Sequence, residues 1–399
     1  MIKLKQLTIL LLVFTMWTVK VSAQNVEKDS IASNGIFNLQ PLPFVSSNPA
    51  YGFMFGLSLA SNFAFDTPKK TTISNAVLTT TYTTMNQLMF NFKSNVYTPG
   101  NRWIFNGDWR FYLSSQPTYG LGIGDTQDIA NTLFNKEQPM EYDLLRFHET
   151  MSTRVVSNLF LGLGVYFDRY TNINDQALDL EAAQPVYTSH FLYNNAYGFD
   201  TKNYQSLALG FSITWESRDI PTNASSGWYA NLTYKGYGKG LGNEQEAQML
   251  NLDYRNYFRL SEKKDNVLAF WFMGTFLASG KLPYMNLASL GWDQKGTSGR
   301  GYKQGRYRGE NYFYTELEYR LRLGIDKKHP DRYGMVFFGN VSAASSSLDE
   351  IKLFDRVAPG YGTGFRIMLK KLTRSNITFD YARGIQGQSG FYINYNEFF

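Results

Sequence analysis

The chain has 399 residues, of which 17% are aromatic and 18% charged, with no cysteine. That balance excludes a disordered polymer, which needs few aromatics and much charge, and it excludes disulfide scaffolds and thiolate metal sites. The formal charge of +6 falls to +3 once residues 1–23 are set aside, which gives no argument for nucleic-acid binding.

Residues 1–23 read as a secretory signal peptide. Lys3 and Lys5 form the basic start, Leu7 to Val19 the apolar core, and Val21-Ser22-Ala23 the small-residue cleavage site. Residues 24–35 are expected to be a short periplasmic segment. After the signal no run of eighteen apolar residues occurs, so a helical membrane protein is excluded. The mature chain instead alternates apolar and polar residues with a period of two. In 102–113, Trp103, Phe105, Trp109, Phe111 and Leu113 oppose Asn106, Asp108 and Arg110. In 312–323, Phe313, Leu317, Tyr319, Leu321 and Leu323 oppose Tyr314, Glu316, Glu318, Arg320 and Arg322. Strands are predicted at 36–46, 51–66, 70–82, 85–97, 102–114, 139–154, 157–170, 201–216, 226–238, 245–260, 266–279, 312–324, 332–343, 358–370, 374–386 and 389–399. Most exceed the roughly 5–6 residues of an ordinary strand and suit the roughly 9–11 of a tilted membrane strand. Charge in mid-strand calls for a wet, polar interior. In lipid every backbone group must be paired, so such a sheet closes. The fold predicted for 36–399 is an all-β, sixteen-stranded antiparallel transmembrane barrel, with its Tyr and Trp on the lipid face. No helix is predicted in the mature chain.

Long connections, 115–138, 171–200, 280–311 and 344–357, alternate with tight ones. That sorting places the long loops outside the cell and both termini in the periplasm of a Gram-negative bacterium. Basic residues near 263–264, 327–328 and 370–374 then fall at periplasmic turns and are expected to be solvated. Pro41 and Pro43 weaken the first strand. In the last, Phe391, Ile393, Tyr395 and Phe399 alternate with Tyr392, Asn394 and Asn396. Tyr395 and the terminal Phe399 resemble the signal read by the outer-membrane assembly machinery.

Residues 299–309 read Gly-Arg-Gly-Tyr-Lys-Gln-Gly-Arg-Tyr-Arg-Gly, at the end of the loop before Tyr314-Thr-Glu-Leu-Glu-Tyr-Arg320. This resembles the BamA/TamA superfamily of outer-membrane assembly and translocation proteins, the bacterial surface antigen family. That family carries an Arg-Gly-Phe/Tyr motif in an outer loop folded back into the barrel. Arg300, Gly301 and Tyr302 match it, with Gly305 and Arg306 behind them. Ser217, Arg218 and Asp219, followed by Gly227, resemble the family's turn between its eighth and ninth strands. A loop of some thirty residues costs entropy to order, and arginine offers five donors to fix it. Arg300 is therefore predicted to pair with Glu318 or Glu316 first and Asp380 next, within a solvated lumen network that includes Arg320. Two departures stand out. Periplasmic POTRA domains, usual before such barrels, have no room in 24–35. Where the family often has an Asp near the thirteenth strand, this chain has Gly339 and Asn340.

His148, His190 and His329 fall on a strand, an outer loop and a turn, too dispersed for one metal site. A Ser–His hydrolase would have to face lipid, whereas His148 shares a face with Arg146, Thr150 and Ser152. No catalytic residue, metal or cofactor is expected. The resemblance implies assembly or translocation of proteins at the outer membrane. Its partners would be outer-membrane lipids, the assembly machinery for its own insertion, and a periplasmic or client protein. The alternatives are a passive channel or solute-binding barrel, and a structural or surface-interaction barrel.

Overall fold

The structure is a computed structural model that describes residues 36–48, 52–66, 70–124, 136–261, 266–371 and 374–399. The signal sequence and the segment after it lie outside the described residues. Sixteen strands form one sheet in chain order, each antiparallel to the next. They are β1 (Ile36–Asn48), β2 (Gly52–Ala64), β3 (Ser74–Thr83), β4 (Leu88–Tyr97), β5 (Trp103–Ser115), β6 (Met140–Val156), β7 (Leu159–Asp175) and β8 (Tyr204–Glu216). The second half is β9 (Gly227–Tyr237), β10 (Ala247–Arg259), β11 (Val267–Gly280), β12 (Asn311–Arg322), β13 (Tyr333–Ala344), β14 (Ala358–Lys370), β15 (Ser375–Gly384) and β16 (Ser389–Tyr395). The sheet is a transmembrane barrel, and β1 and β16 are the two ends of its order.

Period two sets which side chains meet lipid. Trp109 and Phe111 of β5 pair across with Phe147 and Leu145 of β6. Leu163 and Val165 of β7 face Phe211 and Leu209 of β8, and Phe211 and Ile213 face Tyr234 and Leu232 of β9. All are exposed. An apolar band running from strand to strand would aggregate in water and is at home in hydrocarbon. Inside, the same period joins opposite charges two residues apart. Arg110 holds Asp108, Arg255 holds Asp253, Arg218 holds Glu216 and Arg320 holds Glu318.

The interior is not the wet, polar space throughout that the alternation suggested, nor do the aromatics keep to the lipid face. Tyr142, Tyr170, Tyr312, Tyr314 and Trp271 point inward and are buried against Leu282, Met285, Leu287 and Leu290 of the loop 281–310. Tyrosine suits both roles, because its ring packs while its hydroxyl finds a partner. Tyr142 donates to Gln116 at 3.1 Å and Tyr170 to the Met285 carbonyl at 3.3 Å. The long loops thus fill much of the lumen with packed side chains.

Two further expectations fail. The connection after β7 contains a helix, α1 (Ser189–Tyr197). Thr188 caps its start by accepting from the Phe191 N–H, and Gly198 ends it at φ +73°. Its nine residues are too few for a periodic signal. The last strand stops at Tyr395, so Phe399 does not continue its lipid face. The chain turns inward at Asn396 (φ +69°), and Phe399 is fully buried against Trp271, 5.3 Å between rings.

Candidate functional site

The loop 281–310 is ordered by its own backbone before any side chain anchors it. Ala288–Ser289 pairs with Arg308–Gly309, closing a narrow neck. Arg308, which no sequence pattern singles out, donates through Nη1 to the carbonyls of Met285 at 3.0 Å and Leu287 at 3.2 Å. The neighbouring loops tie in as well: the Gly122 N–H donates to the Arg308 carbonyl at 2.8 Å.

Beyond the neck the chain reaches Arg300, which is 1% exposed. Its guanidinium donates to Asp380 of β15 at 2.6 Å and to both Glu316 and Glu318 of β12. These acids are fully buried rather than solvated. The flat cation lies between the rings of Phe338, 3.4 Å from the centroid, and Phe398, 4.2 Å away. Burial alone would pull the guanidinium's pKa down. The three carboxylates more than offset that and hold it well above its ordinary value. Asn340, where the family often has Asp, donates to the Arg300 carbonyl at 3.0 Å and to Glu316 at 3.4 Å. It thus grips the loop backbone and an acid of the cluster rather than the guanidinium.

The surrounding sequence makes this approach possible. Gly301 has φ +102°, and a Cβ there would lie 2.8 Å from the Arg383 carbonyl carbon. On β14 the inward positions are Gly360, Gly362 and Gly364. Side chains there would strike the Arg300 carbonyl, the Phe338 ring and Asp380. Glycine at every second residue is the sequence signal of this trough, and it was not among the expectations. Tyr302 donates to the Pro359 carbonyl, and Tyr392 of β16 accepts from the Gly301 N–H at 2.9 Å.

The network continues into the tail. Arg366 joins Asp380 to Glu397, the latter at 2.8 Å. Arg320 bridges Glu318 at 2.8 Å and the Phe399 carbonyl at 3.0 Å. Thr297 donates to the Phe398 carbonyl at 2.9 Å. Loop, wall and tail therefore share one buried charge cluster.

Not every expected residue enters it. Gly305 and Arg306 sit apart from the acids. Arg306 donates to Gln386 at 3.1 Å and lies over the Tyr119 ring at 4.5 Å. Ser217, Arg218, Asp219 and Gly227 form a separate turn. The Ser217 hydroxyl donates to the Trp228 carbonyl at 2.9 Å, and Asp219 accepts from the Ser225 N–H at 3.0 Å. Arg374, expected to be solvated, donates to Asp219 at 2.6 Å and so ties this turn to the one after β14. Burial pushes the Asp219 carboxyl up, but hydrogen bonds from Ser225 and the Arg374 charge leave it below its ordinary value. Of the histidines, His148 faces Asp168 at 3.0 Å, His190 is buried in α1, and His329 lies in the turn after β12.

Comparison with known proteins agrees with this architecture. The Omp85 superfamily domain matches residues 74–399. BamA from Haemophilus ducreyi, solved without POTRA domains 1–3, superposes with TM-score 0.54 at 14% identity over 92% of this chain and 69% of that one. CdiB from Acinetobacter baumannii gives TM-score 0.54 at 12% identity, over 92% and 66%. The chain thus spans about two thirds of the length of each. No curated protein matches by sequence. The chain, with its long loop drawn into a sixteen-stranded outer-membrane barrel, belongs to the Omp85 superfamily.

Proposed function

We propose that this barrel inserts or translocates proteins at the outer membrane through a seam between β1 and β16, with Arg300 anchoring the loop that fills the lumen. The seam carries the reading. β16 has seven residues against the thirteen of β1, and β1 includes Pro41 and Pro43, which lack N–H donors. The side chains of Tyr395 and Gln40 bridge the two strands with a 2.7 Å hydrogen bond. A lumen packed by Tyr, Leu and Arg leaves the wall as the route by which a strand could pass. The connections 116–139, 176–203, 281–310 and 345–357 share one end of the barrel, and at the other end none exceeds ten residues. We therefore set the long loops outside the cell and both ends of the barrel in the periplasm. Outer-membrane lipids, the assembly machinery for the chain's own insertion and a client protein are its partners in this reading.

The test uses the absence of cysteine. Cysteines at positions 40 and 395, joined by a bifunctional maleimide, close the seam. Liposomes holding the untethered protein should speed the conversion of a urea-unfolded outer-membrane barrel to its heat-modifiable folded form, and tethering should remove that gain. Rates equal to protein-free liposomes, or unaffected by the tether, would overturn the proposal.

A further inference from the structure

On the side of the lumen away from Arg300, a cavity of about 270 Å³ lies between the wall of β5–β11 and the loop segment 285–294. Its charges are unevenly settled. On the wall, Asp108 is taken by Arg110, Asp168 by Arg146 and Asp253 by Arg255. Asp293 accepts from the loop's own Thr297 and Ser298 N–H groups at 3.1 and 2.9 Å. Lys235, on β9, has no ion pair among the described residues. Its ammonium lies 4.0 Å from the centre of the Tyr166 ring. That ring lies against the wall at Gly164 and Gly210, where a Cβ would come within 2.8 Å and 2.6 Å of it.

Lys235 is half-buried on the cavity wall, and a ring face offsets only part of an ammonium's lost hydration. Beside it, three lining residues keep buried polar atoms without partners: Asn251 Nδ2, Trp292 Nε1 and Asn286 Oδ1. The Asn286 amide is oriented by its Nδ2, which donates to the Asp168 carboxylate at 3.4 Å and to Ser206 at 2.8 Å. The unmet groups are thus the ammonium, the Trp292 N–H, the Asn286 oxygen and the Asn251 amide. Their complement is an acceptor-rich anion that also carries a hydroxyl.

We infer that this cavity binds a small hydroxylated monoanion, of the sugar-acid or hydroxy-acid class, with Lys235 receiving its carboxylate. The volume sits near the lower end of small-ligand pockets. Because loop and wall both line it, the bound anion would hold the loop on the side that Arg300 does not reach.

Gluconate and glucose are the probes, titrated calorimetrically into the full-length protein in detergent, with folding of each variant checked by heat-dependent gel mobility. Gluconate should bind saturably and glucose should not. Lys235→Met should weaken gluconate by about tenfold or more, as expected for loss of a hydrogen bond to a charged group, and Lys235→Arg should retain most of the affinity. Absence of saturable gluconate binding, equal binding of glucose, or an unaffected folded Lys235→Met protein would overturn the inference. Should Lys235→Met fail to fold, the gluconate–glucose contrast in the unaltered protein decides alone. Seam-tethered protein should bind gluconate equally well, so this test and that of the seam fail separately.

Discussion

Arg300 shows how one side chain ties the tip of a long loop to the barrel wall. It is enclosed with three carboxylates and two aromatic rings, so removing it leaves Glu316 buried without a cation, while Glu318 and Asp380 keep only Arg320 and Arg366. Breaking such a buried ion pair costs about 3–5 kcal/mol. Arg300→Ala should therefore lower the temperature at which the folded gel band is lost and open 281–310 to protease. Arg300→Lys should rescue only part, since an ammonium cannot span the carboxylates as a planar fork does. Lys295 is the opposite case. Burial, then the nearby Arg255, Arg218 and Arg320, draw its pKa well below the ordinary value. A lysine with a lowered folded-state pKa destabilises the fold while it is charged in the unfolded chain. Lys295→Met should raise the melting temperature at pH 7, and the gain should shrink as pH rises toward the ordinary lysine pKa. A constant gain across that range would refute the electrostatic cause.

The elements divide by how local their causes are. The strands rest on period two and tolerate much surface change. The turn before β9 rests on one glycine: Gly227 has φ +87°, and a Cβ would lie 2.2 Å from the Ser217 carbonyl oxygen. Strain in that backbone region costs about 1–3 kcal/mol, before any collision. Gly227→Ala should lower thermal stability by at least that much and slow recovery of the folded gel form from urea, whereas Gly238→Ala, in open space, should leave both unchanged. The inward glycines of β14 act differently. They supply room, and the loop's anchor occupies it.

At the scale of the whole molecule, the wall and its contents are stabilised by different means. Backbone ladders hold fifteen strand pairs, while the buried charge cluster binds loop, wall and tail together. The junction of β1 with β16 rests on less. Replacing both prolines, Pro41→Val with Pro43→Val, restores two donors to β1 and should raise the temperature of gel-band loss. An unchanged value would show that these positions do not limit the barrel.

Alternating residues, long strands and an even strand count were legible in the sequence because they are local: a strand's faces are set two residues at a time, whatever lies across the lumen. The Asp108/Arg110 and Glu318/Arg320 pairs were readable for the same reason. The candidate partners of Arg300 could be named because Glu316 and Glu318 face inward on the strand that follows its loop. The entry of the loop into the lumen was expected from the motif at Arg300, but the sequence could not show that wall tyrosines pack against it, that Phe398 and Phe399 fold inward, that Asn340 holds the loop backbone, or that Arg306 stands apart. Each depends on which residues meet across the barrel after fifteen strand pairings have fixed their positions. Burial there is a property of the closed volume and of the loops that fill it, and no window along the chain contains it.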